Sequence, residues 1–153
     1  MRVSQPLSTD ARLVEVLNEL MAFDLDVMAA YEAAIARLDD LDLRRQLANL
    51  QQGHRRQVDE LTACVTMLGG QPRSMGDAKI FSTQAKVVLA NLRGERTILQ
   101  ALGSNERSAA RRYDLALHEW ATRAPARVGE VLMRGLHSAR EHHSWLLNRA
   151  RRH

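Results

Sequence analysis

The sequence predicts an all-α fold, four long helices in one domain, and three observations carry that prediction. The 153-residue chain is dominated by Ala, Leu, Arg, Gln and Glu, all good helix formers. Glycine (8) and proline (3) are too scarce for the many turns of a β-sandwich, and only 4% of residues are aromatic. Apolar residues recur at alternating steps of three and four, the period of amphipathic helices. The apolar (45%) and charged (26%) fractions are those of a folded domain. The length suits one domain with a core and is too short for two.

Polar Ser8-Thr9-Asp10 offers N-cap side chains, and residues 1–9 are expected to be a flexible N-terminus ahead of a single domain over 10–152. Helix A is predicted over about 10–38, with Val14, Leu17, Met21, Asp24, Met28, Tyr31, Ile35 and Leu38 on one face. At 1.5 Å per residue it runs roughly 40 Å, a bundle-helix length. Asp39-Asp40 supplies a break and a fresh cap. Helix B follows over about 41–68, with Leu43, Leu47, Leu50, His54, Val58, Leu61, Val65 and Leu68 on one face. So short a link makes A and B an antiparallel hairpin.

Gly69-Gly70-Gln71-Pro72 is the strongest stop in the chain. After a polar loop over 71–77, a shorter amphipathic helix is expected over about 78–92. Helix C is predicted over about 95–120, with Leu99, Leu102, Glu106, Ala109, Tyr113, Ala116 and Trp120 on its seam. Pro125 fits a first helical turn and opens helix D, about 125–151, through Val128, Val131, Leu132, Gly135, Ala139, His142, Leu146 and Arg149. Four long helices with one long B-to-C connection, which contains the additional short helix, are the plan of a ferritin-like bundle with C parallel to B.

Charge and cysteine content exclude several function classes. The 22 basic and 18 acidic residues give a net charge of +4. Lys79 and Lys86 are the two lysines among the basic residues, a bias that fits codon preference better than a nucleic-acid surface. The arginine pairs at 44–45, 55–56, 111–112 and 151–152 lie beside acidic neighbours and read as solvated faces. The single cysteine, Cys64, cannot form an internal disulfide, so a reducing, cytoplasmic setting is expected. There is no apolar run of 18 residues to span a membrane and no signal-peptide h-region. No Gly-rich phosphate loop, nucleophile elbow or paired CxxC is present.

The residues that break the apolar stripes carry the chemistry. Asp24 interrupts helix A's stripe and Glu106 interrupts helix C's. Each is followed seven residues later by a tyrosine, Tyr31 and Tyr113. His54 and His142 interrupt the stripes of helices B and D. A buried carboxylate without a partner is costly, so each needs a metal, a cation or strong hydrogen bonds. Two carboxylates and two imidazoles from four helices suit a divalent transition metal, with Tyr31 and Tyr113 as hydrogen-bond donors behind them. A dinuclear carboxylate centre needs Glu-x-x-His on two helices. Here Gln51 and Ala139 stand where those glutamates are required, and Arg134 and Arg140 occupy the same place before His137 and His143. The motif is therefore incomplete. The reading the residues favour is a polar cluster in which Asp24 and Glu106 hydrogen-bond to His54, His142 or the tyrosines, ahead of a single-metal site. Of His142 and His143, at most one faces inward; His118 and His137 read as solvated, and Cys64 as packing.

Leu17-Asn18-Glu19-Leu20, Tyr31, the corner Leu68-Gly69-Gly70-Gln71-Pro72, and Glu106 with Tyr113 resemble uncharacterised bacterial ferritin-like four-helix-bundle proteins, a domain family of unknown function. The resemblance covers about residues 12–150. It implies a ferritin-like fold, self-association and no established activity. Within the wider ferritin-like superfamily, which includes iron-storing and peroxide-handling members, Asp24 with Tyr31 is similar to the helix-A carboxylate and tyrosine of bacterioferritin-like chains. Glu106 with Tyr113 is the matching pair. Aligned on the Gly-Pro corner, His54 takes the place of a bridging Glu and Gln57 that of a His. The function expected first is a non-enzymatic, self-associating bundle, most simply a dimer, with the 78–92 segment as an interface. The alternative is an iron- or manganese-binding or redox, stress-related protein using Asp24, His54, Glu106 and His142. A third reading places an unidentified apolar ligand between the helices.

Overall fold

The computed structural model describes residues 8–73, 89 and 92–152, and among them every regular element is helical. The helices are α1 (Thr9–Arg37), α2 (Leu41–Met67), α3 (Glu95–Trp120) and α4 (Ala126–Arg151), each within one residue of the predicted bounds. The expected short helix over 78–92 lies outside the described residues apart from Leu89 and Leu92, as do residues 1–7 of the expected flexible start.

Local chemistry sets the ends. Ser8 Oγ accepts from the Ala11 amide at 3.1 Å, so Ser8 caps α1. Asp40 caps α2 by accepting from the amides of Asp42 and Leu43. At the other end of α2, the Gly69 amide bonds to the Thr66 carbonyl and the Gly70 amide to that of Val65. This pair of bonds is a Schellman motif, and its left-handed residue is Gly69 at φ +78°. Pro125 is the cap residue of α4, one position before the helix proper.

Cross-helix partners fix the directions. Asp24 meets His54 and Met28 meets Gln51, so α2 runs opposite to α1. Tyr31 meets Glu106 and Asp24 meets Tyr113, so α3 also opposes α1. Gly103 meets His143 and Asp114 meets Arg140, so α4 opposes α3. Hence α2 and α3 are parallel, as the long connection predicts. In cross-section α1 lies beside α2 and α3, and α4 closes the ring against both of those. Among the described residues, no helix is long and apolar enough to cross a membrane.

The core divides into two apolar clusters. One joins Leu13, Leu17, Met21, Leu61, Val65, Trp120, Val128 and Leu132. The other joins Ala34, Leu43, Leu47, Leu99, Leu102 and Leu146 toward the opposite end of the bundle. Cys64 is buried in the first, consistent with packing. Asp24, His54 and Glu106 lie at the junction, where both flanks exclude water.

Gly135 lets α3 and α4 approach. A Cβ there would collide with the Tyr113 ring and stand 2.7 Å from Gln57 Nε2. Alanine normally stabilises a helix interior by about 1 kcal/mol over glycine. At this position the overlap with two buried side chains outweighs that gain. Gly135→Ala is expected to lower stability by about 1–3 kcal/mol in urea unfolding; a higher midpoint than wild type would contradict so tight a contact.

Candidate metal centre

The four helices bring Asp24, His54, Glu106, His142, Tyr31 and Tyr113 into one network. Asp24 and Glu106 are 0% exposed and His54 is 5% exposed; the His142 side chain retains 13%. His54 Nδ1 lies 2.7 Å from Asp24 Oδ1, and its Nε2 lies 2.6 Å from Glu106 Oε1. Ionised carboxylates only accept hydrogen bonds, so both ring nitrogens must carry protons. His54 is therefore an imidazolium between two carboxylates. Burial pulls its pKa down, but the hydrogen bonds and charges of Asp24 and Glu106 prevail and lift it to about 10. Burial likewise pushes Glu106 up, and His142 with His54 outweighs it, holding the carboxyl near about 2.

The tyrosines cross between the halves of the chain. Tyr31 donates to Glu106 Oε1 at 2.5 Å, and Tyr113 donates to Asp24 Oδ2. Burial and then the adjacent carboxylate charge raise both phenols well above their ordinary value, so both stay protonated donors. His142 Nδ1 sits 3.2 Å from Glu106 Oε1 just as His54 Nδ1 sits by Asp24, which gives the set an approximate two-fold. The symmetry breaks at Glu106, whose Oε1 serves Tyr31, His54 and His142 while the buried Oε2 has no partner among the described residues.

Ligand atoms of His54, Glu106 and His142 lie within 4.8 Å of one another. Asp24 is on the far side of the His54 ring and is not of that group. His142 aside, the two carboxylates and the His54 imidazolium sum to −1 (−2 + 1). A divalent cation with both imidazoles neutral would bring it to zero (−2 + 2), with Asp24 still accepting from His54 Nδ1 as the carboxylate of a carboxylate–histidine–metal triad.

Several supporting contacts have no counterpart in the sequence reading. Gln57 donates to the Val131 carbonyl and Gln51 to that of Met28, both at 2.9 Å, so the two glutamines at the motif positions brace neighbouring backbone. Gly53 makes room for His142, since a Cβ would stand 3.1 Å from its Cε1. Glycine at positions 53 and 135, on helix faces turned to a partner, is the signal that would have pointed to these close approaches. Of the adjacent histidines, His142 reaches Glu106 and His143 reaches the Gly103 carbonyl at 2.9 Å. His118 and His137 are exposed.

Fold and network together define a four-helix bundle with a buried acid–imidazole core. The chain belongs to the family of the domain of unknown function DUF2383, whose model matches residues 12–119. The match spans α1 to nearly the end of α3, with Asp24, Tyr31, His54, Glu106 and Tyr113, and stops before His142. No curated protein and no solved structure is significantly similar to the chain.

Proposed function

We propose that this chain is a metal-binding ferritin-like bundle that holds one divalent transition-metal ion, iron or manganese, with His54, Glu106 and His142. The observation that carries the reading is three ligand groups within 4.8 Å of one another, two of them buried and His142 part-buried, with Glu106 Oε2 buried and without a partner among the described residues. Two imidazoles and one carboxylate suit Fe(II) among first-row ions. Bound there, such an ion supplies Lewis acidity or one-electron chemistry, and no substrate is part of the proposal. Asp24 orients His54, while Tyr31 and Tyr113 keep the two carboxylates in place.

A second reading is a non-enzymatic bundle whose polar core serves only the fold. Its support is that both His54 nitrogens already meet carboxylates at 2.6–2.7 Å. One experiment separates the two. The chain is stripped with chelator, loaded anaerobically with Fe(II) or with Mn(II), desalted and analysed for metal. About one ion per chain is expected. His142→Ala, at a part-exposed position, should abolish retention while leaving the helical circular dichroism intact, and Asp24→Asn should weaken affinity about 10–100-fold. Sub-stoichiometric metal unchanged by His142→Ala would leave the purely structural core.

A further inference from the structure

Two stretches that stand out in the sequence, Leu17-Asn18-Glu19-Leu20 and the corner Leu68-Gly69-Gly70-Gln71-Pro72, meet where α1 passes the end of α2. Asn18 is 8% exposed and uses both ends of its amide on the backbone of that corner and the residue beyond it. Its Nδ2 donates to the Gln71 carbonyl and its Oδ1 accepts from the Arg73 amide, each at 3.0 Å. This bracket holds Arg73 at the edge of a crevice of about 190 Å³. Glu19, Ala22, Phe23 and Asp26 line the crevice from α1, at the i, i+3, i+4 and i+7 spacing of one helix face, and Arg112 lines it from α3. The Arg112 guanidinium is held over the Phe23 ring, 4.3 Å from its centroid. Among the described residues no ion pair joins the side chains of Glu19, Asp26, Arg73 and Arg112. Asp26 Oδ1 is buried and has no hydrogen-bond partner there. A carboxylate oxygen shut away from water without a donor is costly, yet two guanidiniums at the same crevice are not delivered to it.

We propose that this crevice binds a free α-amino acid, its ammonium donating to Asp26 Oδ1 and its carboxylate accepting from Arg112. Two carboxylates and two guanidiniums line the site and sum to zero (−2 + 2). A bare anion would suit the arginines but be repelled by Asp26 and Glu19, and a bare cation would meet the reverse. A ligand carrying both signs on one carbon satisfies both. Arginine's forked N–H donors match a carboxylate in two parallel bonds, and Asp26 supplies the acceptor an ammonium needs. The volume also fits, being below the roughly 300–1,000 Å³ of sites for drug-sized ligands. Ala22 and Phe23 give the carbon skeleton an apolar floor. Glu19 lies seven residues from Asp26, roughly 10 Å along the helix, so it is left, with Arg73, to meet the amino acid's side chain. The inference stands apart from metal binding. Asp24 and Asp26 are two positions apart and therefore about 200° apart around α1, and none of the crevice side chains hydrogen-bonds to the polar core.

The test is proton–nitrogen correlation NMR of the full, metal-free chain, titrated singly with the common L-amino acids. At least one is expected to bind with a Kd below about 1 mM and to shift the amides of Phe23, Asp26 and Arg112. Asp26→Asn and Arg112→Gln should each weaken that binding at least about 10-fold. The N-acetyl and carboxamide forms of the same amino acid, each lacking one charge, should bind as poorly. Arg111→Gln, exposed on α3 but outside the crevice lining, should leave the affinity unchanged. Without ligand, Asp26→Asn should raise the urea midpoint, because a neutral amide costs less to bury than a carboxylate; a lowered midpoint would make Asp26 a structural residue and contradict its assignment to a ligand. No amino acid bound at about 5 mM would overturn the proposal. So would binding that survives both Asp26→Asn and Arg112→Gln, an N-acetyl form held as tightly as the free one, or binding that Arg111→Gln abolishes.

Discussion

Replacing His54 with leucine is expected to cost the metal-free protein about 3–5 kcal/mol, a large part of the roughly 5–15 kcal/mol that stabilises a domain of this size. The imidazolium is the cation between Asp24 and Glu106, and neither carboxylate is exposed to water that might replace it. Leucine fills much of the ring's volume, so the loss is electrostatic rather than a cavity effect. Removing one member of a buried ion set costs far more than the whole set contributes. The variant Asp24→Asn/His54→Leu/Glu106→Gln should therefore recover at least about half of the loss, because it discards the charges and keeps acceptors for Tyr31 and Tyr113. Urea unfolding at pH 7 reads both variants. Equal midpoints for His54→Leu and wild type, or a triple variant weaker than the single one, would contradict the ion set.

The second large effect is on pH. His54 is raised in the folded chain to about 10 from an ordinary 6.5. Its contribution to stability is complete below pH 6.5, declines above it, and is gone above about pH 10. Glu106 is depressed to about 2 from 4.5, so its contribution is complete above pH 4.5 and disappears as pH falls through about 2. Asp26 acts on the acid side instead: burial, opposed by Arg112, raises it to about 6, so ionising it disfavours the folded state between its ordinary 3.8 and that value and adds no slope above it. The metal-free protein should be most stable near pH 5–6 and lose stability steadily toward pH 10. Urea midpoints from pH 4 to 10 check the direction; a midpoint that rises from pH 7 to 10 would remove the imidazolium. In Asp24→Asn/His54→Leu/Glu106→Gln the alkaline slope should flatten.

The helices were legible because their apolar period, caps and breakers agree. Asp40 ahead of Leu43, and Gly69-Gly70 after Leu68, act locally, so sequence alone locates them. Membership of the polar core was legible too, since Asp24, His54, Glu106 and His142 interrupt otherwise apolar stripes. Pairing within it was not. Periodicity says that a residue faces inward but not at what height, and only the antiparallel stagger of α1 and α3 sends Tyr31 to Glu106 and Tyr113 to Asp24. It is also the stagger that puts Asp24 behind the His54 ring, away from the three residues that gather on the other side. Gln51 and Gln57 read as gaps in a metal motif, whereas their amides serve backbone carbonyls of adjacent helices.

Nitrogen-15 NMR of the histidine rings, before and after addition of one equivalent of diamagnetic Zn²⁺, bears most directly on the proposed core. At pH 7 His54 should show two protonated ring nitrogens in the metal-free chain. With Zn²⁺, its Nε2 and one nitrogen of His142 should move to metal-bound positions while His54 Nδ1 keeps its proton toward Asp24, with proton release on titration. A neutral His54 ring before addition, or ring nitrogens unmoved after it, would contradict a core in which a divalent ion replaces the shared proton.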